Sequence, residues 1–486
     1  MDSFSTYIPV DRRHALAGGT QLPESPQGAV LITDISGFTR LTEALMMALG
    51  YQRGAEELGR HLNHLYGILI EKVHRYHGSV VLSGGDSLIS WFDGDEKTAS
   101  RRAVSAAFAM QNSMKTSSIV PLPGGEAVQL AIKSAAAGGR ARRLLVGDPE
   151  IQVFEALAGS LLDQIDMAES LAHRGEIVVT EETARLLEDE AVVVEWRKAG
   201  NGSSVAVIGR LNQMSDPMPW DFTLTPDRDQ AKPWLHPSIY EYINSGQEHF
   251  IAQLRPAISM FMHFEGIDYD NDPQAGNTLD ALIRLVQKNT ERYGGTLVDI
   301  TSGDKGSYLY IAVGVPHAHE DDAPRAVALA RSLLGIPSEL TRVRNVQIGI
   351  SRGTIWSGPV GNEEWRKFSV IGNEVNVAAR LMQICAPGAM LVTQRVADAT
   401  HADHRWKTVG EVDIKGLSKP ITIFERLDSW SSRRANKLLS ASSIIGREAE
   451  RGMLKDLLEN ITSDSSTIAV IEGEAGIGKS RLGSDL

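Results

Sequence analysis

One pattern constrains this chain more than any other: the order strand, helix, glycine-tipped hairpin, helix, strand occurs twice along it. In the first copy Ala29-Val30-Leu31-Ile32-Thr33 is a short β-branched run that halts at Asp34-Ile35-Ser36-Gly37-Phe38-Thr39. From Glu56 to His74 the residues Leu58, Leu62, Leu65, Ile68, Leu69 and Val73 recur at the spacing of an amphipathic helix. Ser79–Leu82 and Ser87–Phe92 read as a hairpin around Ser83-Gly84-Gly85-Asp86, followed by a helix at Ala99–Asn112 and strands near Val128–Ala135, Leu144–Val146 and Ile177–Thr180. The second copy repeats the order. Ile258–Met262 is its strand, Thr278–Tyr293 its helix, Gly295–Val298 and Ser307–Val313 its hairpin around Ser302-Gly303-Asp304, Ala323–Leu334 the next helix and Val346–Gly353 the closing strand. This order predicts an α+β fold with antiparallel sheets.

The repeats are placed at 26–212 and 250–428, after an N-terminal segment 1–25. Between them 213–249 carries Pro217, Pro219, Pro226, Pro233 and Pro237 and reads as a linker packed across the surface. In the last segment, 429–486, the apolar Ile468–Ile471 leads into Gly473-Glu474-Ala475-Gly476-Ile477-Gly478-Lys479-Ser480, a full phosphate-binding loop pattern after a strand. Six residues follow Ser480, so the expectation here is the start of an incomplete α/β P-loop domain that hydrolyses nothing. A composition 42% hydrophobic and 23% charged is that of a packed globular protein. The net charge of −12 argues against a nucleic-acid partner, which needs a basic face. One cysteine, Cys385, allows no intrachain disulfide and reads as a small core hydrophobe. Met1–Thr20 has no apolar signal region, and no apolar run approaches the ~20 residues of a membrane helix, so the expected location is the cytoplasm, without a membrane partner.

Asp34 ends a strand and Asp86 sits at the tip of the next hairpin; on neighbouring strands their carboxylates share a face and can hold hard cations. An Asp beside Gly is also an ordinary turn residue. Ser36 to Thr39 lead into a helix whose first N–H groups could cradle phosphates, or Ser36 or Thr39 simply caps it. Lys133 lies on a mostly apolar strand, where its ammonium either reaches solvent or meets a triphosphate. Asn376 and Arg380, four apart on a helix after Phe368-Ser369-Val370-Ile371-Gly372, share one face and suit a phosphoryl group, or form a surface pair.

On these residues the first repeat resembles the class III adenylyl and guanylyl cyclase catalytic domains, through Thr33–Thr39 and Gly84-Gly85-Asp86. The second resembles them through Ser369–Gly372 and Asn376-Val377-Ala378-Ala379-Arg380. Two unequal repeats followed by a P-loop resemble the soluble adenylyl cyclases in particular. The resemblance implies two ferredoxin-like domains in a head-to-tail pseudo-dimer, monomeric as a chain, with one site at the interface. It implies two Mg²⁺ or Mn²⁺ ions on Asp34, Asp86 and the Ile35 carbonyl, and phosphates on Ser36, Gly37, Phe38, Thr39 and Lys133. Asn376 would orient the ribose, Arg380 would stabilise the transition state, and Asp299, Ser369 and Val370 would meet the base.

The second copy has His263 opposite Asp34 and Gln347 opposite Lys133, while the first has Leu161–Ala168 opposite Asn376 and Arg380, so one composite site is expected. The family's bicarbonate-binding lysine and arginine align with Leu82 and Asp166. No bicarbonate activation is therefore expected; a rise in initial rate with bicarbonate at fixed pH contradicts this. At Asp299, where the resemblance places an adenine-reading lysine, a carboxylate suits guanine N–H donors instead. ATP is the expected substrate, with GTP, or a catalytically dead nucleotide-sensing module, as the alternatives.

Overall fold

The computed structural model describes residues 4–427 apart from gaps at 124, 201, 248–251, 304–305, 338–339 and 415–419, together with 450, 452, 453 and 456. Gly473, Gly478, Lys479 and Ser480 of the P-loop pattern, and the side chain of Thr39, lie outside the described residues. The chain divides into two compact units, Met1–Asp403 with Thr408–Glu425, and His404–Lys407 with Arg426–Leu486. Both repeats belong to the first.

The first repeat follows an N-terminal helix α1 (Val10–Ala17). It comprises β1 (Gln27–Ser36), α2 (Phe38–Arg75), β2 (Gly78–Gly84), β3 (Ser87–Asp93), α3 (Glu96–Ser117), β4 (Ala131–Arg140), α4 (Ser160–Ser170), β5 (Ile177–Thr180), β6 (Ala191–Lys198) and β7 (Ser204–Leu211). The helix expected over Glu56–His74 begins 18 residues earlier, at Phe38. Gly50, at φ 76°, breaks its helical backbone, which is why periodicity alone picked up only the part beyond it. The sheet runs β2-β3-β1-β4-β5-β7-β6. Val30 and Ile32 pack on one face of β1 while Leu31 and Ile35 pack on the other, so both sides of this central strand are buried.

The second repeat comprises β8 (Gln253–Glu265), α5 (Ala275–Arg292), β9 (Gly295–Gly303), β10 (Gly306–Val313), α6 (Asp322–Leu334), β11 (Arg344–Gly361), β12 (Arg366–Ile371), α7 (Asn373–Ile384), β13 (Met390–Thr393) and β14 (Ile421–Arg426). Its sheet runs β9-β10-β8-β11-β13-β14, strand for strand the order of the first, with β12 added against β11. The registers correspond as well. Asp34 lies opposite Lys133 in the first sheet, and His263 lies opposite Gln347 in the second. A bulge skips Val81 before Leu82, and a matching bulge skips Val298 before Asp299.

One core cluster runs through both repeats: Leu41, Leu45, Leu58 and Leu62 of α2 share it with Trp356, Val360, Trp365 and Ile371 of the second repeat. Asn63 of α2 accepts from the Gly361 N–H at 3.1 Å, across the same seam. A Cβ on Gly59 would stand 3.1 Å from the Trp356 ring, so glycine there admits the indole.

The N-terminal segment and the linker pack against each other. Phe4 and Ile8 are buried with Trp234, Leu235, Ile239 and Ile243 of the linker, because the linker forms its own short helix, Pro237–Asn244, with an apolar face that needs cover. Asp11 of α1 is buried and ion-paired with Arg143, whose Nε also donates to Glu155 Oε1 at 2.6 Å; Arg12 donates to the same oxygen at 2.9 Å. Burial opposes the charge on Asp11, but Arg143 outweighs it and holds the carboxyl down to about 2. Its folded value lies below its unfolded one, so this stabilisation is complete above about pH 4 and fades as pH falls towards 2. Arg143→Met leaves Asp11 buried without its ion-pair partner and Glu155 with Arg12 alone, and should cost about 3–5 kcal/mol in urea unfolding at pH 7. A loss under 1 kcal/mol would mean that α1 is not anchored this way.

Candidate active site

β1 and β3 pair so that Asp34 faces Ser87, and the Ile35 N–H donates to the Asp86 carbonyl at 2.8 Å. The end of β1 and the β2–β3 turn are thereby locked together. Tyr66 of α2 secures the turn from behind, its hydroxyl donating to Gly85 O at 2.9 Å. Burial, with Asp86 and Asp34 nearby, pushes this phenol up, so it stays neutral. Asp34 and Asp86 line one cleft of about 770 Å³, and Asn376 and Arg380 of α7 line it from the other repeat. The four residues chosen for metal and phosphoryl chemistry thus converge, although they come from opposite ends of the chain.

Burial raises the Asp86 carboxyl, and Glu169 adds to the rise while Lys133 opposes it. Asp166 and Glu169 of α4 and Asp299 of β9 line the same cleft, which is therefore rich in carboxylates. Such oxygen-rich surroundings fit a hard divalent cation. Among the described residues, no group of three or more carboxylate, imidazole or thiolate side chains is placed to hold a metal. Asp34 and Asp86 would need main-chain, water or substrate oxygens to complete a shell.

Lys133 was expected to need a triphosphate; it has a protein partner instead. α4 brings Glu169 to it, with Nζ–Oε1 at 2.6 Å and Nζ donating to the Glu169 carbonyl at 3.2 Å, while Asp34 lies 4.0 Å away. Asp299 likewise is not an isolated carboxylate. Lys367 of β12 pairs with it at 2.6 Å, and the same ammonium donates to Ser83 O of the first repeat at 3.1 Å. Both lysine partnerships depend on tertiary proximity. A period-two reading of β12 could have flagged Lys367, since it shares a strand face with Ser369.

Gly37 caps α2 at φ 97° and, as a glycine, offers no side chain to the first N–H groups of the helix. Arg40, on the first turn, lines the cleft, and Arg174 lies against Gly37; both are cations that spacing alone did not single out. Arg380 donates to Gln383 Oε1 at 2.9 Å, on its own helix. Ser369 and Val370 line a narrower cavity of about 270 Å³, continuous with the cleft and shared by Phe38, Asp299, Lys367 and Asn376. Phe261 and Tyr310 form part of its wall, stacked with centroids 4.6 Å apart. Cys385, outside the cleft, is buried, and burial pushes its thiol up to about 11.

The fold is shared with a solved class III cyclase-like protein. In the Pseudomonas aeruginosa class III adenylyl cyclase-like ATP-binding protein the same fold recurs at TM-score 0.53 and 13% identity, over 77% of this chain and 85% of that one. Residues 264–425 match the adenylate and guanylate cyclase catalytic domain model, and the second repeat carries that domain. The chain is homologous to adenylate cyclase type 10: the Homo sapiens protein is 21% identical over 513 residues, 95% of this chain, and the Rattus norvegicus protein 20% identical over 502. The chain spans 31% of the length of those relatives. No helix among the described residues is long and apolar enough to cross a membrane.

A Cβ at residue 37 would stand 3.1 Å from Gln129 O and 2.9 Å from Arg174 Nη2, in a backbone region that side chains avoid. Gly37→Ala should therefore cost roughly 1–2 kcal/mol of stability in urea unfolding and weaken nucleotide binding. An unaffected variant would show that the β1–α2 turn is not held in this form.

Proposed function

We propose that this chain is a nucleotidyl cyclase that converts ATP to 3′,5′-cyclic AMP and pyrophosphate at one composite site between its two repeats. The observation that carries the reading is the convergence of Asp34 and Asp86 from the first repeat with Asn376 and Arg380 from the second on one cleft. The repeats, bounded at 26–212 and 250–428, would act as a head-to-tail pair within one chain, so no second subunit is needed. The P-loop at 473–480 reads as the opening of a further nucleotide-binding domain, on sequence pattern alone.

Asp34, Asp86 and the Ile35 carbonyl would hold two Mg²⁺ or Mn²⁺ ions. When bound, these would acidify the ribose 3′-hydroxyl and neutralise the triphosphate. Around them, the first N–H groups of the helix after Gly37 and the side chains of Arg40 and Arg174 would receive the β- and γ-phosphates. Lys133 would join them by exchanging Glu169 for phosphate. Asn376 would orient the ribose so that its 3′-oxygen stands in line with the bond to pyrophosphate. The 3′-oxygen loses its proton and bonds to the α-phosphorus as the bond to the β-phosphate oxygen breaks. Arg380, released from Gln383, would meet the charge that grows on the α-phosphoryl oxygens. Leu82 and Asp166 align with the lysine and arginine of the family's bicarbonate site, which supports a rate that would not respond to bicarbonate.

A second reading has its own support. Lys133 and Arg380 are both held by neighbouring side chains, and the protein of like fold from Pseudomonas aeruginosa is an ATP-binding, cyclase-like protein by name. Under that reading the chain binds nucleotide without turning it over. Mass spectrometry of products from each of the four NTPs with Mn²⁺ separates the two: cyclic AMP supports the cyclase, cyclic GMP moves the substrate to GTP, and binding without a cyclic product supports the sensor. Under the cyclase reading Asp34→Asn reduces turnover to background and Arg380→Ala lowers kcat by about 100–1,000-fold. Unchanged product formation in Asp34→Asn would overturn the metal assignment.

A further inference from the structure

Asp299 alone would offer a purine two carboxylate oxygens, which is guanine's requirement for its N1–H and N2–H₂ donors. In the structure both oxygens are already engaged: Oδ1 accepts the Ile300 N–H at 2.9 Å, and Oδ2 pairs with Lys367 at 2.6 Å. Lys367 in turn spends a second donor on Ser83 O at 3.1 Å, from the first repeat. An ammonium has three N–H donors, so one is left for an acceptor in the cavity that Lys367 lines. The pair is largely buried, with side chains 17% and 15% exposed, so a donor directed there acts in a weakly screened setting.

The surrounding cavity matches a flat heterocycle. Phe261, Tyr308, Tyr310 and Val370 supply its apolar walls, and it opens into the cleft beside Asn376, where a ribose would sit. Ser369 contributes a hydroxyl that can accept from an exocyclic amine.

We propose that Lys367, positioned by Asp299 and Ser83, is the base-reading residue of this site and selects adenine by donating to N1, with Ser369 accepting from N6. A lysine therefore reads the base here, but from β12, with Asp299 as its holder. This rests on the nucleotide site proposed above, and deepens it by naming what discriminates between purines. A bulge before Asp299 interrupts the pairing of β9 with β10 at this point.

The test reads binding, so it does not depend on turnover. Calorimetric titration of the full chain uses the α,β-methylene analogues of ATP and GTP, whose leaving group cannot depart, and inorganic tripolyphosphate, each with Mg²⁺. Lys367→Met should lose at least about tenfold in affinity for the ATP analogue, keep its affinity for tripolyphosphate, and gain nothing for the GTP analogue. Lys367→Arg, which retains a donor, should recover part of the preference for adenine. An ATP-to-GTP affinity ratio unchanged in Lys367→Met overturns the assignment. If that variant does not fold, Lys367→Gln decides by the same ratio. A wild-type chain that prefers the GTP analogue also overturns it. Absence of a cyclic product with an intact ratio shift overturns the cyclase reading and leaves the base-reading role of Lys367 supported.

Discussion

The buried contact between Trp356 and the long helix α2 is the interaction on which the rest of the molecule depends. It merges the apolar faces of two repeats into one core, with Leu41, Leu45, Leu58 and Leu62 on one side and Trp356, Val360, Trp365 and Ile371 on the other. A tryptophan side chain buries on the order of 200 Å² and cannot be returned to water without losing several kcal/mol. The seam also sets the site. α2 begins at Phe38, just beyond the end of β1 that carries Asp34, so the helix that grips the second repeat is the helix that carries the end of β1 towards α7.

The cleft is held in a charge-balanced condition. Lys133 leans on Glu169, Lys367 on Asp299, and Arg380 on Gln383. In a partly buried cleft a cation with a partner costs far less than one without, so each basic group has been given a local acceptor. Burial raises the Asp86 carboxyl, and the neighbouring Glu169 adds to the rise. A polyanion with divalent cations would exchange these pairings for new ones without adding net charge of either sign.

The N-terminal segment and the linker complete the scaffold from outside the repeats. Phe4 and Ile8 close over the linker's apolar helix, and Asp11 enters the Arg143–Glu155–Arg12 network. Their importance was hidden in the sequence because a short polar helix and a proline-rich stretch look alike whether they lie on the surface or against it. The pairing of Asp11 with Arg143, 132 residues away, shows that α1 is buried.

Much of the architecture was written in local patterns. The two strand–helix–hairpin orders, the equivalence of Asp34 with His263 and of Lys133 with Gln347, and the facing of Asn376 and Arg380 all follow from periodicity, and they reappear as register in the sheets. Period two and period 3.6 are properties of the backbone, so a sequence can state them by itself. What the sequence could not state is which side chains meet across elements. Asp299 read alone is an acceptor for guanine; set beside Lys367, which joins it from another strand, it becomes the holder of a donor. Lys133 read alone lacks a partner, and α4 supplies one. Electrostatic character belongs to neighbours in space, and those neighbours were decided by the packing of two repeats around one tryptophan.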